Sequence, residues 1–311
     1  MSRKIIYLIN PISGTQGKKN LQELIRRRTE ERKIDYSIMP TNAEGNYEYL
    51  PTLIEREGVT DIVICGGDGT VNTVGAFLQG RSVRVGIIPM GSGNGLAFAA
   101  GIPKNPSRAL DIVFDGRAGY IDAFTINGQF SCMLCGIGFD AKVAHQFAVQ
   151  PKRGLQTYVK MIFANFFSTG FYPFGISFPG RGEGLEGLEG LEAFETEAFF
   201  ISIANANQFG NNFTIAPRAS LSDGLLDIVI VKRMNKLRLL FSVIRQVRGG
   251  NALQVRAGDV REKRVLYFQV PAICIGNGAA APLHIDGEPV ATSGAFDIRI
   301  RPAVFPLIQP N

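Results

Sequence analysis

Apolar and polar positions follow two different regimes along the chain. Over roughly the first 125 residues, short β-branched runs alternate with stretches of helical spacing. Lys4 to Ile9 reads as a strand, and residues 17–33 read as a helix carrying Lys18, Lys19, Arg26, Arg27 and Arg28, a solvated basic face. Asp35 to Met39 and Asp61 to Cys65 read as further strands, with a helix around Tyr47 to Glu57 between them. Val71, Val74, Phe77 and Leu78 recur at three- and four-residue spacing, which marks one face of a helix that Gly80 ends. Val83 to Ile88 is another strand, and Leu96 to Ala100 a short helix stopped by Gly101 and Pro103. Strands alternating with helices predict a parallel sheet covered on both faces.

After about residue 120 strands dominate. Gly119 to Ile126, Gln129 to Gly136, Phe171 to Phe178, Glu197 to Ala204, Leu225 to Val231, Gln254 to Ala257, Lys263 to Val270 and Ala295 to Arg301 all have strand character. Helical patterns interrupt them at 139–149, 153–168 and 236–247. The expected fold class is α/β plus all-β: an N-terminal parallel-sheet α/β nucleotide domain followed by an antiparallel β-sandwich-like domain. The boundaries expected are 1–122 for the first, completed by 291–311, and 123–290 for the second. Within the second domain stands Gly184-Leu185-Glu186 and its two repeats to Glu192, too few copies for a solenoid and read as a flexible acidic hairpin tip or loop within 183–192.

Composition narrows the classes. The chain has 311 residues, 33 Lys plus Arg against 27 Asp plus Glu, a net charge of +6 and a pI near 9.2. Gly180 to Glu197 concentrates six acids and one base, so the remainder is more basic than the total suggests. Such a surplus suits nucleotide, nucleic acid or an acidic membrane surface, and no nucleic-acid-binding motif accompanies it. No run of 18 apolar residues exists, and the apolar stretch after the basic lead Ser2-Arg3-Lys4 is too short for a signal peptide. Four cysteines are too sparse for a disulfide scaffold, and Cys132-x-x-Cys135 lacks the second pair that a zinc site needs, so both read as buried thiols. A cytoplasmic protein is expected.

Three glycine clusters each follow a predicted strand: Asn10-Pro11-Ile12-Ser13-Gly14, Cys65-Gly66-Gly67-Asp68-Gly69-Thr70, and Pro89-Met90-Gly91-Ser92-Gly93-Asn94-Gly95. In an open parallel sheet such loops converge on one crevice. Glycine lets backbone N–H groups approach a phosphate, and a following helix N-terminus favours negative charge. Ser13, Thr70 and Ser92 add hydroxyl donors. The three clusters together point to a polyphosphate site, although none is a Walker A or dinucleotide fingerprint. Asp68 is the one acid in these loops, and its expected service is to hold Mg²⁺ directly or through water; a turn aspartate is the plainer alternative.

These segments resemble the diacylglycerol kinase catalytic family, which includes bacterial soluble lipid kinases and the sphingosine and ceramide kinases. Asn10-Pro11 with Ser13-Gly14, Gly66-Gly67-Asp68-Gly69-Thr70 with Asn72, and Gly91-Ser92-Gly93-Asn94 carry the likeness. Gly136-Ile137-Gly138-Phe139-Asp140-Ala141, Ile215-Ala216-Pro217, Ser222-Asp223-Gly224-Leu225-Leu226-Asp227 and Asp286-Gly287-Glu288 extend it in the family's order over nearly the whole chain. The resemblance implies ATP and Mg²⁺ as cofactors. It implies that Asn10, Pro11, Ser13, Gly14, Thr41, Gly66, Gly67, Asp68, Gly69, Thr70, Asn72, Ser92 and Asn94 surround ATP. It places Asp68, Asp223 and Glu288 in a magnesium and water network supported by Asp122, makes Asp286 the general base with Glu288 its rival, and assigns a structural magnesium site to Ser220, Asp223 and Leu225. Thr73 departs from the pattern, since relatives commonly carry Glu after the Asn of this motif, and the Gly-Leu-Glu repeat matches no motif of the family.

The residues support a similar chemistry on their own terms. Phosphoryl transfer needs an aligned γ-phosphate, charge neutralisation and a group to take the proton. Alternate residues of a strand face one side, so Asp286 and Glu288 can project together if they lie in a strand; Asp-Gly equally suits a β-turn. His284 reads as a packed neighbour, and neither it nor His145 is required. Tyr158 to Phe178 is rich in aromatics, read first as core and second as an acyl-chain groove or a membrane-facing stretch beside Lys152, Arg153 and Lys160. The function expected is an ATP-dependent lipid kinase acting on a hydroxyl of diacylglycerol or a similar lipid. The alternatives are a soluble-metabolite kinase of the NAD kinase type and a catalytically silent nucleotide- or membrane-binding module. Expected partners are the nucleotide and a lipid substrate met peripherally at a membrane surface, with a homodimer as a candidate assembly and no nucleic acid.

Overall fold

The computed structural model describes residues 3–10, 18–42, 44–151, 155–179, 191–207, 216–239 and 262–311. Its chain divides into two units, Met1–Asp122 with Pro302–Asn311, and Ala123–Arg301. Pro11, Ser13, Gly14, Lys152, Arg153, Ile215, most of the Gly-Leu-Glu repeat and the strand expected at Gln254 to Ala257 lie outside the described residues.

In the first unit β1 (Lys4–Ile9), β2 (Asp35–Pro40), β3 (Asp61–Gly66) and β4 (Arg84–Pro89) form a parallel sheet in the order β2-β1-β3-β4. Every position of β3 is buried, as both faces of a parallel sheet must be when helices cover them. Helices α1 (Lys18–Glu31), α2 (Tyr49–Glu57) and α3 (Asp68–Leu78) make the crossovers, and α4 (Gly95–Ala99) follows β4. Asp61 is fully buried and is held by Arg3 at 3.0 Å and Arg84 at 2.8 Å, so its charge is paired on two sides. An additional helix, α5 (Pro106–Asp115), went unpredicted. Its start carries the right chemistry: the Asn105 side chain accepts the Arg108 N–H at 3.1 Å, and Pro106 stands at the first helical position. Ala109, Leu110, Val113 and Phe114 form its buried face.

The second unit is antiparallel. It begins within β5 (Arg117–Ile126) and contains β6 (Gln129–Ser131), β7 (Leu134–Gly138), α6 (Phe139–Ala148), α7 (Leu155–Phe166), β8 (Tyr172–Ser177), β9 (Ala193–Ala204), β10 (Leu226–Lys232), β11 (Val265–Val270), β12 (Ala272–Gly276), β13 (Leu283–Ile285), β14 (Glu288–Val290) and the first part of β15 (Ala295–Gln309). The pairing runs β14-β13-β7-β9-β8-β12-β15, with β10 and β11 added on the other edge of β9. The single strand expected at Gln129 to Gly136 is two. Asn127 and Gly128 both have positive φ (48° and 82°), so β6 folds back on β5 through a tight turn, whereas β7 joins β9 and β13. Phe124, Ile137, Ile176, Ile201, Ile228, Leu266, Ile275 and Phe296 belong to one apolar cluster inside this unit.

The C-terminal return to the first unit begins at Pro302, later than the expected 291. The reason is pairing: Ala295 to Arg299 lies antiparallel to β12, and Leu307 lies parallel beside Val85 of β4. Among the described residues no helix is long and apolar enough to cross a membrane.

Candidate active site

The strand order β2-β1-β3-β4 reverses direction between β1 and β3, and ligands of open α/β sheets sit at the carboxyl ends of strands at such a switch point. The glycine loops meet there. Asn10, just after β1, donates its N–H to Cys65 O at 3.0 Å and its side-chain Nδ2 to Thr70 Oγ1 at 2.8 Å. Thr41, after β2, is buried and donates its N–H to Ile9 O at 3.0 Å. The loop after β4 joins through Met90, whose N–H reaches Gly66 O at 2.9 Å.

Two of the glycines are required by contact. A Cβ on Gly67 would stand 3.0 Å from Gly91 Cα, and one on Gly91 would stand 2.7 Å from Gly67 Cα, so the two loops pass backbone against backbone. The N-terminus of α3, an eleven-residue helix, opens at Gly67 with N–H groups that have no partner within the helix and with its positive dipole end. Gly69 and Ser92 are exposed, and Thr70 and Asn72 are half-buried.

Two of the expected site residues make contacts within the loops themselves. Asn94 is 2% exposed in a left-handed conformation (φ 58°), where its Oδ1 accepts the Gly91 N–H and its Nδ2 donates to Gly91 O, both at 2.8 Å. Its amide shapes the loop through these two bonds. Asp68 is half-buried, and its carboxylate accepts the backbone N–H groups of Gly95, Leu96 and Asn94. Burial pushes its pKa up and those donors hold it down. Asp68 therefore ties the loop after β3 to the head of α4, and a cation could be served by it only with the lone pairs left over. Thr73, the residue that departs from the resembled pattern, donates its hydroxyl to Gly69 O at 2.8 Å. Asp122 is buried and accepts the N–H of Ala303 at 2.8 Å, which fixes the strand that returns from the second unit's sequence.

In the second unit the expectation of a strand bearing Asp286 and Glu288 on one face fails. Ile285 pairs with Glu288 across a two-residue turn, and Asp286 and Gly287 both have positive φ (50° and 83°). This is the geometry that Asp-Gly favours in hairpins, so Asp286 sits in the turn and Glu288 opens β14 after it, instead of the two alternating along one strand. Asp286 is buried, and its Oδ1 accepts Ser131 Oγ–H at 2.7 Å and the Leu134 N–H at 3.0 Å. Its own N–H reaches Leu134 O at 2.8 Å, so a conformation disfavoured for a non-glycine residue is held by three bonds. Glu288 is exposed.

The proposed magnesium loop has oxygen-donor chemistry. Asp223 is exposed, with Oδ1 accepting the Leu225 N–H at 3.1 Å and Oδ2 at 3.4 Å from Gln269 Nε2; Ser220 lies in the same turn. One carboxylate and two carbonyls with open solvent suit a hard divalent cation. Among the described residues no three His, Cys, Asp or Glu side chains cluster to hold an ion. Asp227 nearby is fully buried against Tyr267 and Gln269, and burial pushes it up to about 6.

Sequence reasoning passed over one cluster. His284 is buried directly across from Gly136 on β7, with Nε2 3.5 Å from Asp140 Oδ2 and Nδ1 accepting the Gly287 N–H at 3.2 Å. The signal was present in His284 standing two residues before Asp286, but nothing in the spacing ties it to Asp140.

A parallel α/β unit with glycine loops at its switch point, followed by an antiparallel β-sandwich-like unit, is a two-domain kinase architecture. Residues 4–126 match the diacylglycerol kinase catalytic domain and residues 137–309 the YegS C-terminal NAD kinase beta sandwich-like domain, so the chain belongs to the diacylglycerol kinase catalytic family. A protein of Mycobacterium tuberculosis described as a diacylglycerol kinase is 28% identical over 99% of this chain and 96% of its own length. A Bacillus subtilis diacylglycerol kinase is 26% identical over 92% and 89%, and a Chromohalobacter salexigens protein described as a "probable lipid kinase YegS-like" 28% over 80% and 74%. A solved chain from Bacillus anthracis str. Sterne superposes with a TM-score of 0.76 at 21% identity, covering 99% of this chain and 97% of that one. At that identity it speaks for the fold alone.

Proposed function

We propose that this protein is an ATP- and Mg²⁺-dependent lipid kinase that transfers the γ-phosphate to a hydroxyl of diacylglycerol or a similar lipid. The observation that carries the reading is the Asn10–Thr70 bond together with the Gly67–Gly91 backbone contact, which gathers glycine loops around the head of α3. Backbone N–H groups there take phosphate oxygens, with the Thr70 and Ser92 hydroxyls as further donors. Mg²⁺, when bound, neutralises charge on the phosphates; it commonly keeps several waters and needs only one or two carboxylates besides phosphate. Asp68, through water, is the residue of the first unit offered for it in this reading, and Ser220, Asp223 and Leu225 offer the separate structural site in the second unit.

Of the two carboxylates in the turn, Asp286 is the better general base. It is buried and fixed by Ser131 and Leu134, whereas Glu288 is exposed, and proton transfer rewards a group already in position. Asp286 takes the hydroxyl proton as the oxygen attacks phosphorus, and ADP leaves. A lipid acceptor is supported by the surface of the second unit. Phe163 on α7 and Phe167 in the turn just past its end are 64% and 66% exposed, and Leu237 is 61% exposed. Arg233, Lys236, Arg238 and Arg264 line a cavity of about 630 Å³ with Phe171. Apolar tips beside cations suit peripheral contact with an anionic bilayer.

The test is transfer from radiolabelled ATP to an extracted mixed lipid pool, with NAD as a parallel acceptor. Label in a lipid that requires Mg²⁺ is the expected result. Label in NAD alone would make the protein a soluble-metabolite kinase, and tight ATP binding without transfer to either would make it a binding module.

A further inference from the structure

We infer that His284 and Asp140 are positioning residues that hold the Asp286-Gly287 turn, with His284 kept in its Nε2–H tautomer. The inference rests on Asp286 being the general base. Nδ1 of His284 accepts the Gly287 N–H at 3.2 Å, so that nitrogen carries no proton. In the neutral ring the proton is then on Nε2, which faces Asp140 Oδ2 at 3.5 Å. Asp140 is buried in the first turn of α6, where Oδ1 takes the Ala141 N–H at 2.8 Å. Its Oδ2 has no hydrogen bond of its own among the described residues. A buried carboxylate oxygen gains most from a donor in this position, and His284 supplies the nearest proton.

The strand opposite makes room for the pair. His284 lies across from Gly136, and a Cβ there would come within 1.9 Å of Asp140 Oδ2 and 2.5 Å of His284 Nε2. Only a residue without a side chain lets carboxylate and imidazole close over this point of β7. Cys135, the next residue, feels both acids: burial, then the Asp286 and Asp140 carboxylates, push its thiol up, which puts all of these groups in one electrostatic neighbourhood. The chain of contacts therefore runs from α6 through Asp140 and His284 to Gly287, and so to the backbone at Asp286. An aspartate that fixes a histidine tautomer is a known way of holding an active-site geometry. Here the imidazole touches the turn and not the reacting atoms, so its part is positional.

The test compares H284A, H284N, D140N, the double variant H284A/D140N and D286N in steady-state transfer to lipid, with thermal midpoints recorded for each. H284A and D140N are expected to lose about tenfold to a hundredfold in kcat, the range a small misplacement costs, with KM for ATP within about twofold. The double variant should be no slower than the slower single, because both act on one turn. In H284N the amide oxygen takes the place of Nδ1 and should recover most of the rate. The chain has two histidines, His145 and His284, so ¹⁵N-histidine NMR reads the tautomer directly, and H284N assigns the signal. Wild type should show a protonated Nε2 on His284, and D140N should shift the proton toward Nδ1. A kcat within twofold of wild type in H284A, equal losses in H284A and H284N that track a lowered midpoint, or an Nδ1–H signal in wild type each overturns the inference. D286N separates the two ideas. If D286N is inactive while H284A and D140N are unimpaired, only the positioning role fails; a fully active D286N removes the base assignment and this role with it.

Discussion

Replacing Asp68 by alanine should loosen the glycine-loop cradle before it touches any chemistry. The carboxylate takes N–H groups from Asn94, Gly95 and Leu96, so the substitution leaves three donors at the head of α4 to find water or strain. Losing a capping carboxylate costs about 1 kcal/mol at a typical helix start. Each further donor left without a partner adds about 1 kcal/mol where burial is partial. Relief of the desolvation that raises the Asp68 pKa works the other way, so about 3 kcal/mol is the ceiling. At about 3 °C per kcal/mol, the middle of the larger-domain range, the midpoint should fall by up to about 9 °C. Asp68→Asn keeps one acceptor and should fall about half as far. The assay is differential scanning fluorimetry with and without ATP, in EDTA and in Mg²⁺. An unchanged midpoint for Asp68→Ala in EDTA, together with loss of the Mg²⁺-induced shift, would refute this reasoning and make Asp68 a metal ligand first.

Other outcomes test separate parts of the account. Asp286→Asn should lower kcat by about a thousandfold, within the range for a lost general base, while the Kd for ATP measured calorimetrically stays within about twofold; retained turnover removes Asp286 from the chemistry. Asp227, pushed up to about 6 from 3.8, holds its proton more tightly in the folded state than in the unfolded chain. Its contribution therefore favours folding at low pH and is lost as pH rises from about 4 to about 6, a swing of about 3 kcal/mol. Denaturation of wild type and Asp227→Asn in EDTA at pH 4 and pH 7 should show the variant gaining by about that amount at pH 7, and a pH-independent difference would contradict it. Phe163→Ser with Phe167→Ser should reduce sedimentation with vesicles containing one-third phosphatidylglycerol by tenfold or more, at about 25 cal/mol per Å² of lost apolar burial. Unreduced sedimentation would assign the membrane face elsewhere.

Much of the first unit was legible because it obeys local rules. β1 is bounded as its apolar run predicts, β3 is buried at every position, and Val71, Val74 and Leu78 face inward from α3. What escaped was written in shorter signals. α5 was announced by Asn105-Pro106 and closed by Gly116, but its apolar residues sit among charges and its period is brief. β13 and β14 have three residues each, too few to show alternation, and they exist as strands because β7 pairs with β13. β12 follows Pro271 and owes its place to β8 and β15, on either side of it. A pairing such as Cys135 with Ile285, far apart along the chain, leaves no local trace.

The candidate site shows the same division between residue type and backbone geometry. The motif residues named Asp286 and Glu288, and strand periodicity suggested one shared face, but the turn conformation decided otherwise. At Asp286 the positive φ costs roughly 1–3 kcal/mol for a non-glycine residue, and the bonds to Ser131, Leu134 and the Gly287–His284 contact oppose that cost. An aspartate at a strand position would be held by its neighbours' packing alone, with side-chain rotation left to compete. One placed in a primed turn has its backbone locked on both sides and its carboxylate bonded from a third strand, so its direction is set before any substrate arrives. That is the condition general-base catalysis rewards, and it is the ground on which the proposed role of Asp286 stands.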